Sequence, residues 1–149
     1  MKKRILSLLM SFVMLVSLLP ATVRAAETVT EISSAEAFAA MSANGSYKLT
    51  QDIEVTTPYK STFKGTFDGD GHTIRGLYYN NSDSPQEGIW VGLIPWVKGK
   101  NVSLKNITIS ESAIINMGPK NCGTAALIGY ITDGTYASII NCYIDDTVS

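Results

Sequence analysis

Leu104-Lys105-Asn106-Ile107-Thr108-Ile109 carries apolar residues at its first, fourth and sixth positions. Side chains alternate along a plain strand, so its first and fourth positions would face opposite sides. They share a side only if the chain turns a corner at the third. Asn106 suits that corner, because Gly and Asn tolerate left-handed backbone better than other residues. Two further segments have the same form: Ile74-Arg75-Gly76-Leu77-Tyr78-Tyr79 and Ile139-Ile140-Asn141-Cys142-Tyr143-Ile144. The pattern predicts corners at Gly76, Asn106 and Asn141, with Ile74, Leu77, Leu104, Ile107, Ile139 and Cys142 pointing inward around them. Stacked, Asn106 and Asn141 would hydrogen-bond along a side-chain ladder.

A second element recurs in phase with the first. Val91-Gly92-Leu93-Ile94-Pro95-Trp96-Val97 matches Ala125-Ala126-Leu127-Ile128-Gly129-Tyr130-Ile131 at an offset of 34, against 35 between the second and third corner segments. A period of this length marks a stacked array of short elements. The region from Tyr47 onward is rich in Ile, Val, Thr and Tyr and keeps a two-residue period, which suits strands. The expected fold is all-β: a right-handed parallel β-helix with a short N-terminal capping helix. An antiparallel β-sandwich is the alternative built from the same short strands.

Working outward, Ser33-Ser34-Ala35-Glu36 has the form of a capping box. The alanine-rich run behind it, with Phe38 and Met41 on one face, predicts a helix at about residues 34–42, ended by Asn44-Gly45 with Gly in left-handed backbone. Residues 27–32 read as a polar lead-in. At the start of the chain, Lys2, Lys3 and Arg4 precede an apolar stretch from Ile5 to Leu19, and Val23-Arg24-Ala25 offers a cleavage site. That is a secretory signal pattern, shorter than the roughly 20 apolar residues that span a bilayer. No Cys follows the apolar run, which argues against a lipid anchor. The expected organisation is a signal peptide at 1–25, a lead-in and capping helix at 26–45, and β-helix rungs at 46–149, incomplete at the C-terminal end. Cleavage after Ala25 would remove four positive charges and take the formal net charge from −1 to −5. A mildly acidic product argues against a nucleic-acid partner. No later segment is apolar enough to cross a membrane, so no span is expected after cleavage.

The stretch Gly45-Ser46-Tyr47-Lys48-Leu49-Thr50, then Asp52-Ile53, then Phe63-Lys64-Gly65-Thr66-Phe67-Asp68-Gly69-Asp70-Gly71-His72-Thr73-Ile74 resembles the opening of bacterial surface proteins with GLUG-type repeats. Gly92-Leu93-Ile94-Pro95 and Ala126-Leu127-Ile128-Gly129 each depart from the repeat motif by one residue, and Ile139-Ile140-Asn141-Cys142 matches its corner. The resemblance covers roughly residues 30–145. It implies a right-handed β-helix in large secreted or cell-surface proteins with adhesive or scaffolding roles, and it implies no catalytic residues.

Several residues invite a chemical reading. Asp68, Asp70 and His72 form the best acidic cluster, but a calcium loop needs more oxygen ligands. A glycosidase needs two opposed carboxylates, and neighbours on one turn are not opposed. A hairpin or rung turn explains the Asp-Gly pairs. Trp96 and Tyr130 hold equivalent positions with Trp90 nearby, either as core or as an outward aromatic strip for a sugar face. Cys122 and Cys142 are the only cysteines. They form a disulfide in an oxidising compartment, or Cys142 serves as a small corner hydrophobe. With His72 the single histidine, no metal site and no cofactor are expected. No catalytic constellation is found. The expected function is a non-enzymatic secreted or cell-surface adhesin-like module, probing an extracellular glycan or a host or cell-surface protein. The alternatives are a polysaccharide lyase or glycoside hydrolase on a β-helix, and a carbohydrate-binding module.

Overall fold

The computed structural model describes residues 28–118 and 120–149. The expected signal peptide lies outside the described residues. Within them the chain is all-β with one short helix, and the strands form five parallel sheets. The largest joins β1 (Val29–Ile32), β2 (Ser46–Leu49), β5 (Thr66–Asp68), β10 (Val102–Lys105) and β15 (Ala137–Ile140). The second joins β3 (Ile53–Glu54), β6 (Thr73–Arg75), β11 (Thr108–Ser110) and β16 (Tyr143–Ile144). The third holds β4 (Thr62–Phe63), β9 (Ile94–Val97) and β14 (Ile128–Ile131). Two pairs complete the set: β7 (Tyr78–Asn80) with β12 (Ala113–Ile115), and β8 (Trp90–Val91) with β13 (Gly123–Thr124). Every pairing is parallel, so the antiparallel sandwich is not what the chain adopts. None of these sheets closes on itself.

The registers show how the pattern works. Leu104 lies beside Ile139, and Ile109 beside Ile144, at the 35-residue offset of the corner segments. Tyr130 lies beside Trp96, at the offset of 34. The first segment needs a correction. Ile74 pairs with Ile109, not with Leu104, whose partner is Phe67. Seven positions separate Phe67 from Ile74, but five separate Leu104 from Ile109. The two extra residues sit in the turn Asp68-Gly69-Asp70-Gly71, where Asp70 and Gly71 take φ of 51° and 83°. Gly76 is thus not equivalent to Asn106. It stands at the next corner beside Glu111, whose carbonyl accepts its N–H at 3.1 Å.

The corners themselves are left-handed. Gly76, Asn106 and Asn141 have φ of 77°, 54° and 53°, and Glu111 has 46°. Asn141 Nδ2 donates to Asn106 Oδ1 at 2.9 Å, and Asn106 Nδ2 donates to Asp68 Oδ1 at 2.9 Å. Asp68, rather than Gly76, therefore begins the corner ladder. The next corner has its own buried hydroxyl: Leu77 N donates to Ser112 Oγ, which donates to Ser110 O.

Inward positions build one continuous core. Phe63, Phe67, Ile74, Leu77, Leu93, Leu104, Ile107 and Ile109 are fully buried. Each such side chain contributes about 1.5–3 kcal/mol by leaving water. At the last paired strands the same columns are uncovered: Ile131, Ile139 and Ile144 are exposed, and Cys142 is half-buried. Ile139 and Cys142 are inward by register, yet nothing among the described residues lies over them.

The N-terminal end is closed differently. The expected lead-in is a strand, β1, because Val29–Ile32 pairs in parallel with Ser46–Leu49. Helix α1 (Ala35–Ala39) is shorter than predicted and capped one residue later, with Ser34 Oγ accepting from Ala37 N at 3.2 Å. Ser33 lies between the end of β1 and this cap, and its carbonyl accepts from the Gln51 side chain at Nε2. Phe38 and Met41 are both buried, and Phe38 meets the rings of Phe67 and Tyr59 at 5.9 and 6.2 Å. Gly45 is not left-handed; the Tyr47 ring lies where its side chain would be, with Tyr47 Oη held by Ser42.

Candidate functional site

Two surface clusters contain the residues singled out by their chemistry. The first surrounds the Asp68 corner. β5 ends at Asp68 and β6 begins at Thr73, so the intervening turn carries Asp70 and His72 at the outer edge of two sheets. Asp68 Oδ1 accepts from Asp70 N as well as from Asn106, while Oδ2 meets Lys105 Nζ at 2.9 Å. Asp70 Oδ2 meets Lys48 Nζ at 2.8 Å. His72 Nδ1 lies 3.5 Å from Asp52 Oδ1, and Asp52 Oδ2 accepts from Arg75 at 2.8 Å. The chain thus brings Asp68, Asp70 and His72 together but adds Lys48, Asp52, Arg75 and Lys105, which the sequence pattern did not single out.

The electrostatics follow from those bonds. Burial pushes the Asp68 carboxyl up, but the amide of Asn106, the Asp70 N–H and Lys105 outweigh it and hold it below its usual value. Asp52 is also held low, chiefly by the Thr73 N–H, with Arg75 and His72 assisting against slight burial. Lys48 is held above its usual value by Asp70. Each of the three carboxylates is engaged by a cation or by N–H donors. This is the arrangement of a pinned turn, in which charges set the corner in place. Among the described residues no group of three or more His, Cys, Asp or Glu is disposed to hold a metal ion.

The second cluster is aromatic and lies on the outside. Trp96 and Tyr130 are side by side on β9 and β14, their rings 5.2 Å apart in an edge-to-face arrangement. Trp90, on β8, also meets the Tyr130 ring, with centroids 4.6 Å apart. Its strand partner is Gly123, and the Trp90 ring occupies the space a side chain there would need. Trp96 is exposed, while Trp90 and Tyr130 are half-buried. Beside them runs an open groove of about 480 Å³, whose lining includes Pro58, Lys60, Tyr79, Trp90, Pro95 and Trp96. Tyr59 closes the groove toward the core; its hydroxyl donates to Met41 O at 3.0 Å, and burial pushes the phenol above its usual value.

The cysteines do not come together. Cys122 Sγ points at the carbonyls of Gln86 and Lys120, and Cys142 Sγ at those of Leu104 and Ile140. Both are free thiols, so of the two alternatives the disulfide is not formed in this arrangement. The corner register explains it, since Cys142 follows the Asn141 bend while Cys122 precedes β13 on another sheet. Among the described residues no helix is long and apolar enough to cross a membrane. Comparison of the chain with protein families, curated proteins and solved structures finds no match.

Proposed function

We propose that this chain is a secreted or cell-surface structural module of adhesin-like type, non-enzymatic, and wound as a right-handed parallel β-helix of GLUG-type repeats. The observation that carries the reading is the register. Parallel pairs recur at an offset of 35 residues on separate sheets, with Leu104 on Ile139 and Ile109 on Ile144, and the amides of Asn106 and Asn141 join across the same interval. Stacked levels of this kind make a stiff rod whose outer faces are free to meet a partner. The partner is an extracellular glycan or a protein of a host or neighbouring cell surface.

The basic start of the chain and its apolar run supply export. Expression with the native N-terminus in a bacterial host, followed by mass spectrometry of the cell fractions, tests this part. The expected species is exported and begins at Ala26. Recovery of only full-length protein, from Met1, in the cytosol would sink the export reading. Beads coated with the purified protein test adhesion directly: they should bind whole cells or extracellular matrix above albumin-coated controls, and equal retention would overturn the adhesive role.

A further inference from the structure

We propose that the groove beside Trp90 and Trp96 binds a short acidic oligosaccharide, with a sugar ring stacked on Trp96 and its carboxylate held by Lys60. This names a ligand class for the surface-module reading, on which it rests only for the place where the ligand is met.

The first support is the aromatic cluster. Large rings are normally spent in the core, where they bury 150–250 Å² each, as a general figure. Here Trp96 is 38% exposed, and it is held in a fixed orientation by Tyr130, which is itself wedged against Trp90. Gly123 makes room for that arrangement by lacking a side chain under the Trp90 ring. A braced, exposed indole presents a flat apolar face at little entropic cost on binding. The C–H face of a pyranose is the common biological surface that is flat, weakly apolar and edged with hydroxyls.

The second support is the groove. Its volume of about 480 Å³ falls in the roughly 300–1,000 Å³ of ordinary small-ligand sites. Pro58, Pro95, Trp90 and Tyr79 supply apolar lining, and Thr57 and Lys60 are polar residues among the rest. That mixture of apolar walls and few polar groups is what orients a ligand.

The third support is charge. Among the described residues Lys60 is the only charged one lining the groove. Among the described residues it has no ion-pair partner, whereas Lys48 and Lys105 are tied to Asp70 and Asp68. A lysine without an ion-pair partner, lining the same groove as two tryptophans on a chain of net negative charge, is the feature there that would select an anion. A uronic acid combines the stacking face and the carboxylate in one ring, which a neutral sugar or a simple anion does not.

Tetragalacturonate is the probe, titrated into the purified protein with tryptophan fluorescence and calorimetry as readouts. A neutral tetrasaccharide of galactose is the control for charge, and dextran sulfate at matched charge the control for non-specific anion binding. The expected result is a dissociation constant below about 1 mM for the acidic sugar, at least tenfold tighter than for the neutral one. Trp96→Ala should weaken binding at least tenfold, Trp96→Phe should keep most of it, and Lys60→Gln should bring the acidic sugar down to the neutral level. Melting curves establish that each variant is folded. If Trp96→Ala does not fold, Trp96→Phe and Lys60→Gln decide the matter alone. Four results overturn the proposal: no binding of tetragalacturonate, equal affinity for both tetrasaccharides, binding unchanged in folded Trp96→Ala or Lys60→Gln, or dextran sulfate competing away the fluorescence change in the Lys60→Gln variant. Because these assays use purified protein, they fail or succeed independently of export and of bead adhesion.

Discussion

The corner residues show what a single side chain decides. Asn106 takes left-handed backbone and bonds both upward to Asn141 and downward to Asp68. Asn106→Val should therefore cost about 2–4 kcal/mol, summing the left-handed penalty for a β-branched residue and two lost hydrogen bonds. Lys105→Val removes only an exposed ion pair with Asp68 and should cost less than about 1 kcal/mol. Urea denaturation of the two variants measures the difference; equal midpoints would contradict the corner assignment. Glu111 is the opposite case, a residue at φ of 46° with a side chain that gains nothing from it, next to Gly76 at 77° in the equivalent place. Glu111→Gly should stabilise the fold by about 0.5–1 kcal/mol, since relief of backbone strain exceeds the entropy that Gly adds to the unfolded chain. A lower urea midpoint for that variant would refute it. Asn106 and Asn141 were legible in the sequence because Asn is a recognised left-handed residue. Glu111 was not, because nothing in a Glu signals that its neighbours will force the bend.

At the level of elements, the strands were legible as a set but their phase was not. The segments at 104–109 and 139–144 align as their spacing implies, while the one at 74–79 slips because the Asp68–Gly71 turn holds two extra residues. Local resemblance matched apolar positions and had no way to weigh an insertion upstream. The β1 strand was missed for a related reason: Val-Thr-Glu-Ile is too short and polar to announce itself, and three of its four residues are exposed. It is specified by β2, to which it pairs. A second amide ladder also went unseen, with Asn81 Nδ2 donating to Asn116 Oδ1 at 2.8 Å across 35 residues. The aromatic strip was legible as a spacing, but its outward orientation depended on which face β9 turns to solvent. The turn at Asp68 makes its own prediction. The Asp68 and Asp52 carboxyls are held below their usual value near 3.8 in the folded chain. A group so depressed contributes its full stabilisation above its unfolded value, and loses it as pH falls through its lower folded value. Melting temperature should thus drop below about pH 3.8. Asp68→Asn should lower the melting temperature at pH 7 and flatten the acid limb. An acid limb as steep in Asp68→Asn as in the parent would show that Asp68 contributes nothing to it.

For the whole molecule, the two ends of the stack are unlike. Helix α1 and β1 lie at the N-terminal end, where Phe38 is buried against Phe67. At the other end Ile131, Ile139 and Ile144 are 43%, 47% and 41% exposed, while their partners Val97, Leu104 and Ile109 are fully buried. Strand β15 there has the sequence Ala-Ser-Ile-Ile, without a charge. Uncharged, apolar edge strands associate. The purified protein should sediment as dimers or larger species, and Ile140→Lys should shift it toward the monomer. Sedimentation velocity across a concentration series checks both. A monomer at every concentration, or a variant that associates as the parent does, would count against the edge as the cause.

The nearest-neighbour character of the packing has a genetic consequence. Leu104 touches the levels of Phe67 and Ile139 and depends on neither end of the chain. A duplication of 35 residues in frame inserts a copy whose upper surface matches the lower surface it meets, so the seam is already compatible. A duplication of a different length keeps the corner amides in line only where a turn absorbs the difference, as the Asp68–Gly71 turn does for the 38 residues between Asp68 and Asn106. Length is then a quantity that unequal recombination adjusts level by level, without any new core having to be invented, while the outward residues of each copy are free to drift independently.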